Sequence, residues 1–125
     1  MARQRAESVS EGNLDDLALE ITPRELKRQL DSGESIAIID VREPFEAEIC
    51  RIGNSEPIPM IAIPQALPAL AEKAASAKLV MVCHHGVRSM QVVRWLRGRR
   101  IAACQSLRGG IDAWSIEIDP QIPRY

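Results

Sequence analysis

Apolar residues along this chain form short continuous runs, and between the runs they recur every three or four positions. The runs cover residues 36–41, 78–83 and 102–107 and are bounded by turn-forming or polar residues. A run of this length predicts a strand that is buried on both faces of a sheet. The intervening spacing places apolar side chains on one face of a helix.

The first predicted helix has clear signals at both ends. Thr22 is placed to cap it, and Glu25 is placed to reach back in a capping box. Pro23 occupies the first helical position, where a missing N–H costs nothing. Ser32 and Gly33 end the helix.

Three further helices are predicted from the same spacing. They cover residues 67–75 with Pro68 in the first turn, residues 89–97, and a short segment at 111–114 after two glycines. Residues 1–18 are predicted to form a flexible N-terminal tail, disordered through about residue 13, because they are polar and lack an apolar stripe.

Alternating strands and helices predict an α/β fold with a mostly parallel central sheet flanked by helices, formed by one domain over residues 19–125. Ligands of such sheets bind beyond the carboxyl ends of the strands. Asp40 and Cys83 both stand at predicted strand ends. We therefore expect them to lie along the same functional edge.

Composition narrows the class of protein. Of 125 residues, 46% are hydrophobic and 26% charged, an ordinary globular balance that excludes a disordered, collagenous or coiled-coil chain. The few aromatic residues argue against a stacking platform for nucleic acid. No apolar run is long enough to span a membrane, and the first 20 residues lack the apolar core of a secretory signal.

Charge is divided unevenly between the two parts of the chain. Residues 1–72 carry 7 basic and 14 acidic side chains, whereas residues 73–125 carry 9 and 3, although the net charge is only −1. Such asymmetry is typical of proteins that meet an anionic ligand or an acidic partner, and it also fits a merely solvated basic face. The three cysteines are an odd number without metal-type spacing, which favours a reducing, cytoplasmic location.

The candidate chemistry lies in residues 83–89, where a predicted strand delivers Cys83 to a loop of five residues before the next helix. Backbone N–H groups of such a loop can converge on one point, and the helix amino end adds partial positive charge there. Gly86 permits a tight turn, and Arg88 adds a cation. These features favour the thiolate form, so Cys83 is predicted to be a nucleophile rather than an inert buried cysteine.

Three segments together resemble the rhodanese-like sulfurtransferases. The segment Cys83-His84-His85-Gly86-Val87-Arg88-Ser89 is similar to that family's active-site loop, CxxGxRS. Residues 40–46 (DVREPFE) are similar to its DVRE-(P)-x-E segment, and residues 107–114 (LRGGIDAW) to its L-x-GGxxAW segment. The resemblance covers roughly residues 19–125.

This resemblance implies a sulfurtransferase that carries sulfane sulfur from a donor, such as thiosulfate or a persulfide, to a thiol, cyanide or a protein. It implies that Cys83 is the nucleophile that holds the sulfur as a persulfide, without a cofactor. It further implies that the loop residues His84, His85, Gly86, Val87, Arg88 and Ser89 bind the small anionic donor, and that Asp40 and Arg42 support them. One departure stands at residues 49–53 (ICRIG), where many members have Gly-His-Ile, and it leaves the role of Arg51 open.

Other sites are less favoured by the sequence. His84 and His85 are the only histidines, and adjacent histidines rarely bind one ion, so no metal site is predicted. Cys104 and Cys50 are predicted to be bystanders. Cys104 lies in a predicted buried strand, whereas Cys50 lies in a predicted loop, where exposure and a role as resolving partner for Cys83 stay open.

Two alternative functions remain open at this stage. A cysteine phosphatase or arsenate reductase also uses a cysteine and an arginine around an anion, but its loop places five residues between them and this chain has four. A non-catalytic binding module on the same fold would typically lack the cysteine.

The C-terminal segment, residues 109–125, is similar to rhodanese domains that are fused to adenylyltransferases of molybdopterin and thiamine biosynthesis. That similarity implies an acidic sulfur-carrier protein ending in Gly-Gly as the acceptor. The basic stretch on either side of Cys83 in the sequence would steer such a partner toward the nucleophile. Neither nucleic acid nor a membrane is expected as a partner.

Overall fold

The computed structural model of the protein describes residues 17–125, which fold around a parallel sheet with helices on both faces. Its strands are β1 (Glu20–Ile21), β2 (Ile36–Asp40), β3 (Glu56–Pro57), β4 (Lys78–Val82) and β5 (Cys104–Leu107). They pair in the order β1-β5-β4-β2-β3, and every pairing is parallel. The predicted α/β fold is confirmed.

The helices of the described residues connect these strands across the two faces. They are α1 (Pro23–Asp31), α2 (Pro44–Ile49), α3 (Ile63–Ala74), α4 (Val87–Arg97) and α5 (Gly110–Glu117), with a 3₁₀ turn at Met60–Ala62 before α3. Because all strands run the same way, the segments that follow β2, β3 and β4 begin at one edge of the sheet.

Successive side chains of strand β4 point to opposite faces of the sheet and so belong to two separate core clusters. Leu79 and Met81 pack with Leu70 of α3 and Val93 of α4. The residues between them point to the opposite face, toward a second cluster that contains Leu26 of α1 and Ile111 and Trp114 of α5. The sheet is therefore covered on both sides, which explains why its strands have continuous apolar sequences.

The three predicted strands are confirmed as β2, β4 and β5, and the first predicted helix is confirmed as α1. Its Thr22 cap is also present, since the hydroxyl accepts from the Glu25 N–H at 3.2 Å. The reciprocal half of the capping box was wrong. The Glu25 carboxylate instead binds Arg28 and Gln29.

Three predicted helix positions differ from the structure. α4 begins at Val87 rather than about residue 89, because Gly86 adopts φ 101° and caps the helix itself. α3 begins at Ile63, so Pro68 lies inside the helix and not in its first turn. The short helix after the two glycines extends over Gly110–Glu117 rather than ending at residue 114.

Four short elements were not predicted: β1, α2, β3 and the 3₁₀ turn. Strands of two residues carry no readable alternation, and α2 has only six residues. The predicted tail falls mostly on residues 1–16, which lie outside the described residues. The carbonyls of Leu17 and Ala18 accept hydrogen bonds from Arg97, at 2.7 and 2.9 Å.

Candidate functional site

Cys83 lies directly after β4 and continues the alternation of that strand. Its side chain points to the same face as Leu79 and Met81 and joins their cluster, leaving the residue 1% exposed. Because α4 covers this face and begins four residues later, the thiol is delivered beneath the amino end of that helix.

Two N–H groups and one hydroxyl surround the sulfur. Cys83 Sγ accepts from the Gly86 N–H at 3.1 Å and the Ser89 N–H at 3.3 Å, and it lies 3.3 Å from Ser89 Oγ. Ser89 Oγ in turn shares a hydrogen bond of 2.7 Å with Ser106 Oγ of β5. N–H donors converging on a sulfur at a helix amino end favour a negative charge on that atom. Of the predicted loop residues, Gly86 and Ser89 therefore direct their N–H groups at the sulfur, and the loop has three residues instead of five.

The amino end of α5 holds the other side of this loop. Ile111 N–H donates to the Cys83 carbonyl at 2.9 Å, and Asp112 N–H donates to the His84 carbonyl at 3.2 Å. Gly110 has φ 63°, and a Cβ there would collide with both carbonyls. Since the carbonyls are tied to α5, the loop turns its N–H groups toward the sulfur. This explains why residue 110 of the segment at 107–114 is a glycine.

Arg88 is held by a carboxylate beside the loop. Its Nη1 and Nη2 donate to the two oxygens of Glu46 at 2.7 and 3.0 Å. The hydrogen bonds to Glu46 raise the pKa of Arg88, and the charges of Glu46 and Cys83 add to this effect. The predicted cation is therefore at the site, but it is already paired.

Glu46, the third residue of α2, is bound by four donors. Besides the two from Arg88, Glu43 N–H donates to Oε1 at 3.0 Å and Tyr125 OH donates to Oε2 at 2.7 Å. The Arg88 hydrogen bonds outweigh burial and lower the pKa of Glu46 to about 2. Its charge is thus fixed at any pH at which the protein would work.

Asp40 and Arg42 form a buried ion pair behind this arrangement. Arg42 Nη2 lies 2.7 Å from Asp40 Oδ2 and donates to the Cys50 carbonyl at 2.7 Å. Its Nη1 donates to Tyr125 OH at 2.9 Å. Burial opposes the charge of Arg42, but the bonds to Asp40 and Tyr125 outweigh it and raise the pKa of the guanidinium. The pair reaches the loop indirectly, by holding Tyr125 against Glu46.

The two histidines stack with Tyr125 beside the loop. The His84 ring lies 3.8 Å from the Tyr125 ring and 3.9 Å from the His85 ring, measured between centroids. Burial, followed by the charge of His85, lowers the pKa of His84, so its imidazole is neutral at pH 7. Among residues 17–125, no group of three or more His, Cys, Asp or Glu side chains is placed to hold a metal ion.

The other cysteines lie in the core. Cys104 is the first residue of β5 and fully buried, as predicted, and burial raises the pKa of its thiol. The sequence left the exposure of Cys50 open, and the structure shows it buried. Cys50 directly follows α2, is 8% exposed and packs in the cluster on the α5 side, because Arg42 draws its carbonyl inward. Arg51 donates to the Ser55 carbonyl at 2.7 Å.

Three residues of the site were missed by the sequence analysis: Glu46, Ser106 and Tyr125. Glu46 had a signal, because it is the last letter of the motif at residues 40–46. Ser106 and Tyr125 come from distant parts of the chain, and only the parallel pairing of β4 with β5 and the path of residues 118–125 bring them here.

The basic residues lie largely at the opposite edge of the sheet from Cys83. Arg94 and Arg97 are in the last turns of α4, whose eleven residues run about 16 Å away from the loop. Arg97 also donates to the Cys104 carbonyl, and Lys78 is half-buried and donates to Gln105. Although Arg94, Arg97 and Lys78 are close to Cys83 in the sequence, the fold does not place them around its sulfur.

Exposed apolar side chains occupy the edge that holds Cys83. Phe45, Ile61 and Val87 are 63%, 86% and 67% exposed and follow the ends of β2, β3 and β4. An apolar groove of about 270 Å³ continues from there along α4, lined by Met60, Ile63, Pro64, Gln91, Val92 and Trp95. Within the described residues, no helix has the length and apolar character needed to cross a membrane.

Comparison with known proteins places these features in context. The family model described as "Rhodanese-like domain" matches residues 22–117. A Zea mays protein named "Adenylyltransferase and sulfurtransferase MOCS3-2" is 35% identical over 109 residues, which cover 84% of this chain and 23% of that protein. A Mycobacterium tuberculosis protein named "Probable adenylyltransferase/sulfurtransferase MoeZ" is 36% identical over 105 residues, which cover 84% of this chain and 26% of that protein. The chain thus spans about a quarter of the length of these relatives.

Solved structures show the same fold at full domain length. A rhodanese-like domain protein from Staphylococcus aureus superposes with a TM-score of 0.71 at 31% identity, covering 86% of this chain and 99% of that one. A human single-domain sulfurtransferase, TSTD1, superposes with a TM-score of 0.69 at 26% identity, covering 81% of this chain and 98% of that one.

Proposed function

The chain belongs to the rhodanese-like domain family, and on that basis we propose that it transfers sulfane sulfur through a persulfide formed on Cys83. Family membership alone supports a sulfurtransferase role. The observation that carries the catalytic proposal is the Cys83 sulfur itself, which accepts from the N–H groups of Gly86 and Ser89 at the start of α4.

Each half of the proposed reaction uses the same groups. The Cys83 thiolate attacks the outer sulfur of the donor, the donor's S–S bond breaks, and the leaving group departs with the electron pair. The terminal sulfur of the resulting persulfide lies where the loop N–H groups and the helix amino end stabilise its charge. A nucleophilic acceptor then attacks that terminal sulfur and regenerates the Cys83 thiolate, which predicts ping-pong kinetics.

Mass spectrometry tests this proposal directly. After incubation with thiosulfate or an organic persulfide, Cys83 should gain the mass of one sulfur atom, and dithiothreitol or cyanide should remove it. The reducing step is essential because a sulfinic acid has nearly the same added mass but survives dithiothreitol. A phosphoryl or arsenate adduct on Cys83 after incubation with a phosphate ester or with arsenate would instead support the phosphatase or arsenate reductase class, and absence of any labile sulfur would support a non-catalytic binding module.

The acceptor is proposed to be a protein, specifically an acidic sulfur carrier, as the resemblance of residues 109–125 implies. The relatives named above support this proposal in that their names join an adenylyltransferase to a sulfurtransferase. The exposed apolar residues Phe45, Ile61 and Val87 share the edge of the sheet with Cys83 and offer a contact surface for it. Arg94 and Arg100 are more distant along α4 and beyond it, so they would contribute only long-range attraction.

Two sets of substitutions separate these contributions. Phe45→Ser with Ile61→Ser should slow transfer to a protein carrier at least about fivefold and leave transfer to dithiothreitol unchanged. Arg94→Glu with Arg100→Glu should slow transfer to an acidic carrier mainly at low salt. A protein acceptor is excluded if transfer to the carrier is no faster than to dithiothreitol in the unaltered protein.

A further inference from the structure

Three ion pairs lie around the Cys83 loop. Among the described residues, the pairs and their shortest N–O distances are Arg42 with Asp40 at 2.7 Å, Arg88 with Glu46 at 2.7 Å, and Arg124 with Asp112 at 2.8 Å.

The His84 side chain does not change this balance. The His84 imidazole is neutral at pH 7, because burial disfavours its protonated form and so lowers its pKa. His85 is exposed and its Nδ1 lies 3.9 Å from the Asp112 carboxylate. Within the part of the chain that the structure describes, attraction for an anion at this loop therefore comes from backbone N–H groups and the helix end, not from a net side-chain charge.

This balance matters because candidate donors differ in charge. In the thiosulfate reaction, Cys83–S⁻ and S–SO₃²⁻ give Cys83–S–S⁻ and SO₃²⁻, so three negative charges share the site throughout. In the reaction with an organic hydropersulfide, Cys83–S⁻ and R–S–SH give Cys83–S–SH and R–S⁻, with one negative charge. An unpaired cation lowers the barrier of the first reaction more than that of the second.

We propose that Glu46 sets the donor preference of this site, by cancelling the charge of Arg88 so that an organic persulfide is favoured over thiosulfate. This inference rests on the proposed sulfur transfer through Cys83 and goes beyond it by naming the donor class and the residue that selects it.

The geometry fixes Glu46 in this role. Arg88 donates two guanidinium N–H groups to Glu46. Both hydrogen bonds would have to break before Arg88 could bind a sulfur donor bidentately. Glu46 cannot easily move away to permit this, since its side chain is 7% exposed and is also bound by Tyr125 OH and Glu43 N–H. The pair is therefore part of the resting site.

The test compares two donors in the Glu46→Gln variant. We expect the ratio of kcat/KM for thiosulfate to kcat/KM for the hydropersulfide of an uncharged thiol, such as 2-mercaptoethanol, to rise roughly tenfold or more at low ionic strength, and less in high salt, because one cation is released near a dianion. Glu48→Gln is the matched control, since Glu48 lies on the same helix and is exposed. It should leave the ratio unchanged.

A second variant does not depend on removing Glu46. Val87 is 67% exposed at the start of α4, so Val87→Lys adds an unpaired cation beside the loop while Glu46 and Arg88 remain paired. It should raise the same ratio. Thermal melting establishes that each variant is folded, and if Glu46→Gln is not, Val87→Lys decides the question.

The outcomes distinguish this inference from the proposed function. An unchanged ratio in both folded variants, or an equal loss with both donors, overturns the selective role of Glu46 and leaves the sulfurtransferase proposal intact. If the unaltered protein accepts sulfur from neither donor, the proposed function fails. The charge argument is then tested by alkylating Cys83, where Glu46→Gln should raise the rate with iodoacetate relative to the neutral iodoacetamide. No rise would overturn it.

Discussion

Cys83 is as buried as an inert core cysteine, but its sulfur accepts hydrogen bonds from two backbone N–H groups. Its 1% exposure alone would favour the inert role, as for the fully buried Cys104. The difference lies in the neighbours. The Cys104 sulfur contacts carbonyl oxygens of Val93 and Ile101, whereas the Cys83 sulfur receives N–H groups of Gly86 and Ser89.

Cys83→Ser should abolish formation of cyanide-labile sulfur without unfolding the protein, because serine has nearly the same volume. Cys50→Ser and Cys104→Ser provide matched controls and should retain most of the activity, although each costs some stability in a packed site. Cold cyanolysis of the three purified variants measures this. Labile sulfur at the wild-type level in Cys83→Ser would remove this residue from the mechanism.

Arg88→Ala tests the opposite sign of the charge argument. It leaves the Glu46 carboxylate facing the loop without its cation, so kcat/KM should fall with both donors and by about tenfold more with thiosulfate. Arg94→Ala on the same helix is the control and should change neither value. Steady-state kinetics at two salt concentrations measure the effect, and an equal fall with both donors would contradict it.

At the level of elements, the sequence predicted what local signals determine and missed what tertiary packing determines. The Thr22 cap and the turn at Gly33 gave α1 its observed bounds. The predicted start of α3 at residue 67 was wrong. Buried Ile63 and Leu70 anchor the helix in the core and extend it through Pro68, a residue type that ordinarily stands in the first turn.

Pro68→Ala should therefore stabilise the protein. In the interior of α3 this proline cannot donate to the Pro64 carbonyl, and its side chain is exposed, so alanine restores a helical hydrogen bond without loss of packing. We expect the free energy of unfolding to rise by about 1–3 kcal/mol. Denaturant titration measures this, with Pro64→Ala as the control, because proline is tolerated at the second helical position. A gain of equal size in both variants would contradict the explanation.

Over the whole molecule, the sequence predicted the α/β class and the edge at which the chemistry gathers, because both follow from the parallel arrangement of strands. It located Cys83 and its loop but not the side chains that complete the site. Tyr125 and Glu46 are 79 positions apart and meet only after folding, and no local pattern encodes such a contact. The basic stretch was also misleading, because α4 is about 16 Å long and places Arg94 and Arg97 in its last turns, far from the Cys83 loop.

Acid should destabilise the folded molecule through its paired carboxylates. The folded-state pKa of Glu46 is about 2, below the ordinary 4.5, and hydrogen bonds from Arg124 lower the pKa of Asp112 as well. Groups with lowered pKa contribute stability above their unfolded pKa and lose it as pH falls toward the folded value, so the loss falls between about pH 4.5 and 2. For Glu46 we expect up to about 3 kcal/mol.

Denaturant titrations at several pH values measure this dependence. Glu46→Gln should flatten it, whereas Glu48→Gln should not, because Glu48 is an exposed carboxylate on the same helix. A pH dependence that is equally steep in both variants would show that Glu46 is not its source.

The position of Tyr125 has a practical consequence for handling the protein. Residues 118–125 are tied along α5 by buried Ile122 and by the hydrogen bond from Ser115 to its carbonyl, so the chain arrives beside His84 in a defined place. Any polypeptide that continues past Tyr125, including an appended affinity tag, therefore starts at the rim of the Cys83 loop. Purification handles are better placed before residue 17, and a fluorophore or photocrosslinker joined after Tyr125 would capture whatever molecule approaches the sulfur.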